Sequence, residues 1–101
     1  MTAEGSRVEE FTAALGCEME SAFGRLAAEV MKEGSLSEKE KALIALACSV
    51  AVRCDPCTRR HKKMAVQKGA SRREMLEAAA IAGMVRLRSG YNTAALLLDE
   101  E

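Results

Sequence analysis

The stretch Ser37-Glu38-Lys39-Glu40-Lys41-Ala42-Leu43-Ile44-Ala45-Leu46-Ala47-Cys48-Ser49-Val50-Ala51-Val52-Arg53-Cys54-Asp55-Pro56-Cys57 decides the fold. Its first four residues have the Ser-x-x-Glu form of a capping box, in which serine and glutamate satisfy free backbone N–H groups at a helix start. From there Leu43, Ile44, Leu46, Ala47, Val50 and Val52 take up almost every side of a helix running to about Arg53. Such a helix requires burial all round, and in so small a domain part of its surface is expected to meet another subunit. The apolar run from Ala42 to Val52 falls well short of the ~20 residues that cross a bilayer, and Ser49 interrupts it, which makes it a core helix. A further helix is expected to begin within Cys54-Asp55-Pro56-Cys57, with Asp55 as N-cap and Pro56 at the first helical position, and to end at Gly69.

Upstream, Val8, Phe11, Leu15, Met19, Phe23, Leu26 and Val30 step by three or four residues. They predict one helix over Ser6 to Lys32 with a continuous apolar stripe, bent or split at Gly16 or Gly24 and ended by Glu33-Gly34. Downstream, Ser71-Arg72-Arg73-Glu74 is a second capping box. It opens a helix carrying Met75, Leu76, Ala79, Ala82 and Val85 that Ser89-Gly90 is expected to close, leaving Tyr91 to Leu98 as a short last helix. The expected fold class is all-α, an antiparallel bundle of about five to six helices in one domain spanning residues 1–101.

Composition agrees. The chain has 101 residues, 49% apolar and 30% charged, with three aromatic residues and one proline. That length suits one hydrophobic core, and the Ala- and Leu-rich composition excludes an all-β domain. Fifteen basic and fifteen acidic side chains balance, so no overall field draws the chain to nucleic acid or to an anionic membrane, and neither is an expected partner. Locally the balance fails, since Arg53 to Arg73 holds eight bases against Asp55 alone. The N-terminal residues lack the basic start and apolar stretch of an export signal, which predicts a cytoplasmic protein. In a reducing compartment four cysteines are not a disulfide framework, and a closely spaced pair points to metal binding or thiol chemistry.

Cys54-x-x-Cys57 followed by His61 is the constellation that carries chemistry. In the first turn of a helix, Cys57 meets free N–H groups and the positive dipole end, both of which favour a thiolate. Arg53, Arg59, Arg60, Lys62 and Lys63 add positive potential. His61 lies four residues on, on the same helix face, where an imidazole exchanges a proton with the sulfur directly or through a water. Cys54 is near enough to close a disulfide once Cys57 is oxidised. Three other readings compete: a buried structural cysteine pair, a zinc site that would need Cys48 or Cys17 to complete it, and a basic run that is only a solvated face. Cys17 and Cys48 themselves are expected to be core residues without chemistry. So are Met19, Met64, Met75 and Met84.

These residues resemble the carboxymuconolactone decarboxylase-like superfamily and, within it, the alkylhydroperoxidase AhpD-like branch. The resemblance rests on Leu43-Ile44-Ala45-Leu46-Ala47, then Arg53-Cys54-x-x-Cys57-x-x-x-His61, then Gly69-Ala70-Ser71-x-x-Glu74 and Glu77-Ala78, a core of about residues 36–85. It implies an all-helical AhpD-like fold, a homo-oligomer such as a trimer or hexamer, and reduction of a hydroperoxide or disulfide substrate with an external dithiol as reductant. It implies no organic cofactor and no metal. By position Cys57 matches the peroxidatic cysteine, Cys54 the resolving one and His61 the histidine of a proton relay. The AhpD pattern places a relay glutamate twelve residues before the first cysteine, where this chain has Ala42. Glu38, one helical turn earlier, is the candidate replacement. The pattern's histidine between the cysteines is also absent, Pro56 standing there. Two other functions belong to the same fold: a redox-sensing or assembly subunit without turnover, and a γ-carboxymuconolactone decarboxylase, whose chemistry has no need of a cysteine pair.

Overall fold

The computed structural model describes residues 7–100. It is all-α: α1 (Val8–Ala14), α2 (Cys17–Met31), α3 (Glu38–Ala51), α4 (Asp55–Gln67) and α5 (Arg72–Ala94), closed by a 3₁₀ turn at Ala95–Leu98. Both predicted capping boxes are formed. Ser37 accepts from the Glu40 amide while Glu40 accepts from that of Ser37, and Ser71 and Glu74 do the same.

The single helix expected from Ser6 to Lys32 is two helices, and Ser6 lies outside the described residues. Gly16 breaks it at φ +109°, a conformation costly for any residue with a Cβ. Gly24 needs no such angle, and α2 runs straight through it. Gly90 likewise fails to close α5, which continues to Ala94. The separate helix expected over Tyr91 to Leu98 is therefore the end of α5 followed by the 3₁₀ turn.

Helix α3 packs between α4 and α5. Ala42, Ala65 and Ala70 form a buried cluster with Leu43 and Met75 packed against it, and Leu46 of α3 and Ala82 of α5 are buried as well. Polar ties fix the ends: Lys39 Nζ to Glu74 Oε2 at 3.0 Å joins α3 to α5, and Lys68 Nζ to Glu38 Oε1 at 3.0 Å joins α4 to α3. Lys41 Nζ donates to the Val30 and Lys32 carbonyls at 2.8 and 2.7 Å, satisfying the open C-terminal end of α2. Arg60 reaches Glu9 of α1 at 2.8 Å.

The turns after α3 and α4 share one geometry. Cys54 N–H donates to the Ser49 carbonyl and Arg53 N–H to that of Val50; Ala70 N–H donates to Ala65 and Gly69 N–H to Val66. Both are Schellman motifs, whose pivot residue is left-handed. The second uses Gly69 at φ +91°, whereas the first uses Arg53 at φ +61°.

Every member of the α1–α2 stripe (Val8, Phe11, Leu15, Met19, Phe23, Leu26, Val30) is exposed in the single chain. Met19 and Met84, expected as core packing, are exposed, because the apolar faces that carry them are not covered within the chain. The radius of gyration is 17.0 Å, against ~13 Å for a compact chain of this length. Among the described residues no helix is long and apolar enough to cross a membrane.

Candidate functional site

The turn between α3 and α4 builds the site. The Schellman turn reverses the chain at Arg53 and leaves Cys54 extended, at φ −99° and ψ 101°, as the N-cap of α4. This corrects the expected cap: Asp55 is the first helical residue and is exposed, and Pro56 is the second. The shift costs nothing at Pro56, because the second position of a helix also has no intrahelical acceptor for its N–H. The sulfur of Cys54 takes the role expected of Asp55, accepting from the Cys57 amide at 3.3 Å. The Cys54 carbonyl accepts from both the amide and the hydroxyl of Thr58, each at 2.9 Å. Beneath the turn, buried Ser49 donates its hydroxyl to the Ala45 carbonyl at 2.8 Å.

Cys57 thus stands in the first turn of α4, as read from the sequence. Cys54 and Cys57 are joined as a disulfide, their Cα atoms 5.2 Å apart. Both are half-buried. His61 follows one turn later on the same face, also half-buried. Burial, and then the neighbouring Arg60 guanidinium, push its pKa below 6.5, so the ring is neutral near pH 7. Its Nδ1 atom is buried and has no hydrogen-bond partner among the described residues.

The candidate relay carboxylate, Glu38, makes an ion pair of its own. Glu38 is held by Lys68, and its own amide donates to Glu33 Oε1 at 3.1 Å. Glu38, Lys68, Met64, Met31 and the fully buried Ala42 line a cavity of about 230 Å³. Cys17 and Cys48, expected in the core, are both exposed free thiols. Cys48 is off the α3 face on which Ala42, Leu46 and Ser49 are buried. Among the described residues no three His, Cys, Asp or Glu side chains gather as a metal site.

Lys68 and Thr58 were not singled out from sequence. Lys68 is thirty positions from its partner Glu38, and no local pattern signals that pairing. Thr58 was legible in principle, because a hydroxyl four residues after a cap is placed to bond its carbonyl. Arg59, Lys62 and Lys63 line an open depression of about 470 Å³ on the outer side of α4, so the basic run is a surface beside the cysteines.

The sequence profile of the carboxymuconolactone decarboxylase family matches residues 17–100. A crystal structure of a protein from Methanobacterium thermoautotrophicum is 44% identical, with a TM-score of 0.81 over 90% of this chain and 98% of that one. A carboxymuconolactone decarboxylase family protein from Thermotoga maritima, described with a suggested involvement in antioxidative response, is 36% identical. Its TM-score is 0.68 over 79% of this chain and 68% of that one. In Paracoccus denitrificans "Uncharacterized protein 4 in cox locus" is 33% identical over 92 residues, 88% of this chain and 83% of that protein. The profile spans α2 through the 3₁₀ turn, and the chain belongs to the carboxymuconolactone decarboxylase family.

Proposed function

We propose that this chain is an AhpD-like thiol oxidoreductase that reduces hydroperoxides through Cys57 and Cys54. The observation that carries the reading is the Cys54–Cys57 disulfide across the first turn of α4, with a neutral His61 one turn on. His61 takes the Cys57 proton, and the thiolate attacks the outer peroxide oxygen. The O–O bond breaks, the alcohol leaves with a proton returned by His61, and Cys57 becomes a sulfenic acid. Cys54 attacks that sulfur, water departs, and the disulfide forms. An external dithiol then returns the two electrons and two protons. The suggested antioxidative involvement of the Thermotoga maritima relative supports the same direction.

A second reading is a redox-sensing subunit of the same fold. Ala42 in the relay position and the unpartnered Nδ1 of His61 favour it. Turnover separates the two. Under the first reading, the reduced protein with a dithiol consumes alkyl hydroperoxide catalytically, and Cys57→Ser abolishes consumption. One oxidation per chain without turnover supports sensing. Alkylation of the reduced protein at limiting reagent, followed by mass mapping, should label Cys57 first. Preferential labelling of Cys17 or Cys48 would count against both readings.

A further inference from the structure

We infer that the groove between α3, α4 and α5 is a binding site for an organic carboxylate with a single alkyl chain, and that the hydroperoxides reduced at the cysteines are acyl chains held there by their carboxylate. The second half rests on the thiol chemistry proposed above, and the first does not. The groove, of about 230 Å³, is lined by apolar Leu46, Val50, Met75 and Leu76 and by Thr58, Lys62 and Arg72. Its two ends differ. The short turn that carries Cys54 joins α3 to α4, so Val50 and Thr58 lie at the cysteine end, and Leu46 and Lys62 one helical turn further away. Thr58 follows Cys57 and donates both its amide and its hydroxyl to the Cys54 carbonyl, so that end of the groove adjoins the disulfide. Arg72 begins α5, after the turn at the opposite end of α4, and stands with Lys62 at the far end.

Lys62 and Arg72 are exposed, and neither makes an ion pair or hydrogen bond among the described residues. The acids of α5 near them are engaged elsewhere: Glu74 accepts from the Ser71 amide and from Lys39, and Glu77 from Arg73. Asp55, the one acid of α4, is about two turns from Lys62. Two cations without counter-ions beside apolar walls fit a ligand that is anionic at one end and apolar along its length. Its chain removes the walls from water, and Arg72 and Lys62 bond its carboxylate. A peptide would lay backbone polar groups on walls that offer them no partner. A phospholipid brings two chains, and a groove smaller than the ~300 Å³ of larger ligand sites takes one. From Lys62 to Cys57 is about 7.5 Å along the helix axis, so a hydroperoxide that reaches the sulfur sits several bonds from its carboxylate. Medium and long acyl chains meet that condition, whereas short acids do not and neutral hydroperoxides lose the ionic contact.

Calorimetry on the disulfide form, which cannot turn over, tests the site. Decanoate should bind at least tenfold more tightly than decanol, which lacks the charge, and than acetate, which lacks the chain. Arg72→Gln should weaken decanoate binding at least tenfold, and Arg72→Lys should recover part of the loss. Arg72 is exposed, so neither variant threatens folding. Turnover tests the substrate class. A long-chain acyl hydroperoxide given as the free acid should exceed its own methyl ester at least tenfold in kcat/KM, chiefly through KM, and Arg72→Gln should bring that ratio close to one. Decanoate bound no more tightly than decanol, or unchanged affinity in Arg72→Gln, overturns the site. An ester turned over as well as the acid, with decanoate binding intact, overturns the substrate class alone. Failure to turn over tert-butyl hydroperoxide and both acyl peroxides removes the peroxidase reading and the substrate class with it, while decanoate binding still decides the groove.

Discussion

Ala42 is the residue on which the chemistry turns. It is fully buried and faces a cavity that also holds Glu38 and Lys68, so a longer side chain has both space and a cation at hand. Glu38 is already committed to Lys68, and His61 Nδ1 has no partner among the described residues. An imidazole without a carboxylate loses the contact that fixes its tautomer and stabilises its protonated form. Ala42→Glu should therefore raise peroxide turnover, by ~10²-fold at the low end for general acid–base assistance. Glu38→Gln should leave turnover essentially unchanged and remove only a surface ion pair, worth up to ~1 kcal/mol. Steady-state assays of the two variants side by side check this, and a large loss in Glu38→Gln would restore Glu38 as the relay. His61 gives a second prediction. Its pKa is lowered, by burial first and Arg60 second, so the folded state disfavours the protonated ring. The unfolded chain binds that proton more readily, hence stability falls as pH drops through 6.5 and levels off below the folded pKa. His61 is the chain's one histidine, so its ring resonances titrate without ambiguity. They should show a midpoint below 6.5 that moves upward in Arg60→Gln.

At the scale of elements, the two Schellman turns form an internal comparison. Arg53 and Gly69 do the same backbone work, but only arginine has a Cβ to strain, at a cost of about 1 kcal/mol. Arg53→Gly should raise thermal stability by about that amount, and Gly69→Ala should lower it similarly. A Cβ at Gly69 meets nothing within 4 Å, so its cost is purely conformational. Paired melting curves test both. If Arg53→Gly fails to stabilise, the guanidinium holds the turn by a contact worth as much as the strain. The same elements show what sequence discloses. The capping boxes are legible because four consecutive residues satisfy one another. Gly16, Gly24 and Gly90 look alike on paper, and only the chain's path decides that Gly16 takes a positive φ while the others stay helical. The Asp55 cap was displaced by one residue because the cysteine sulfur accepts the bond a carboxylate was expected to take. Cys17, Cys48, Met19 and Met84 were read as core because periodicity reports an apolar face without saying which surface covers it.

For the whole molecule, that ambiguity is the main finding. The chain exposes 7804 Å², whereas a folded monomer of 10.9 kDa exposes about 5,600 Å². The excess of roughly 2,200 Å² is of the size that obligate assemblies bury. It is spread over separate elements: the α1–α2 stripe, Leu76, Met84 and Leu87 on α5, and Ile44 and Val52 at α3. If the homo-oligomer implied by the family resemblance covers this surface, the native mass should be that of several 10.9 kDa chains, and the melting temperature should rise with protein concentration because assembly stabilises the folded chain by mass action. Light scattering and melting curves across a dilution series check both: a monodisperse monomer at micromolar concentration, with a melting temperature independent of dilution, removes the premise.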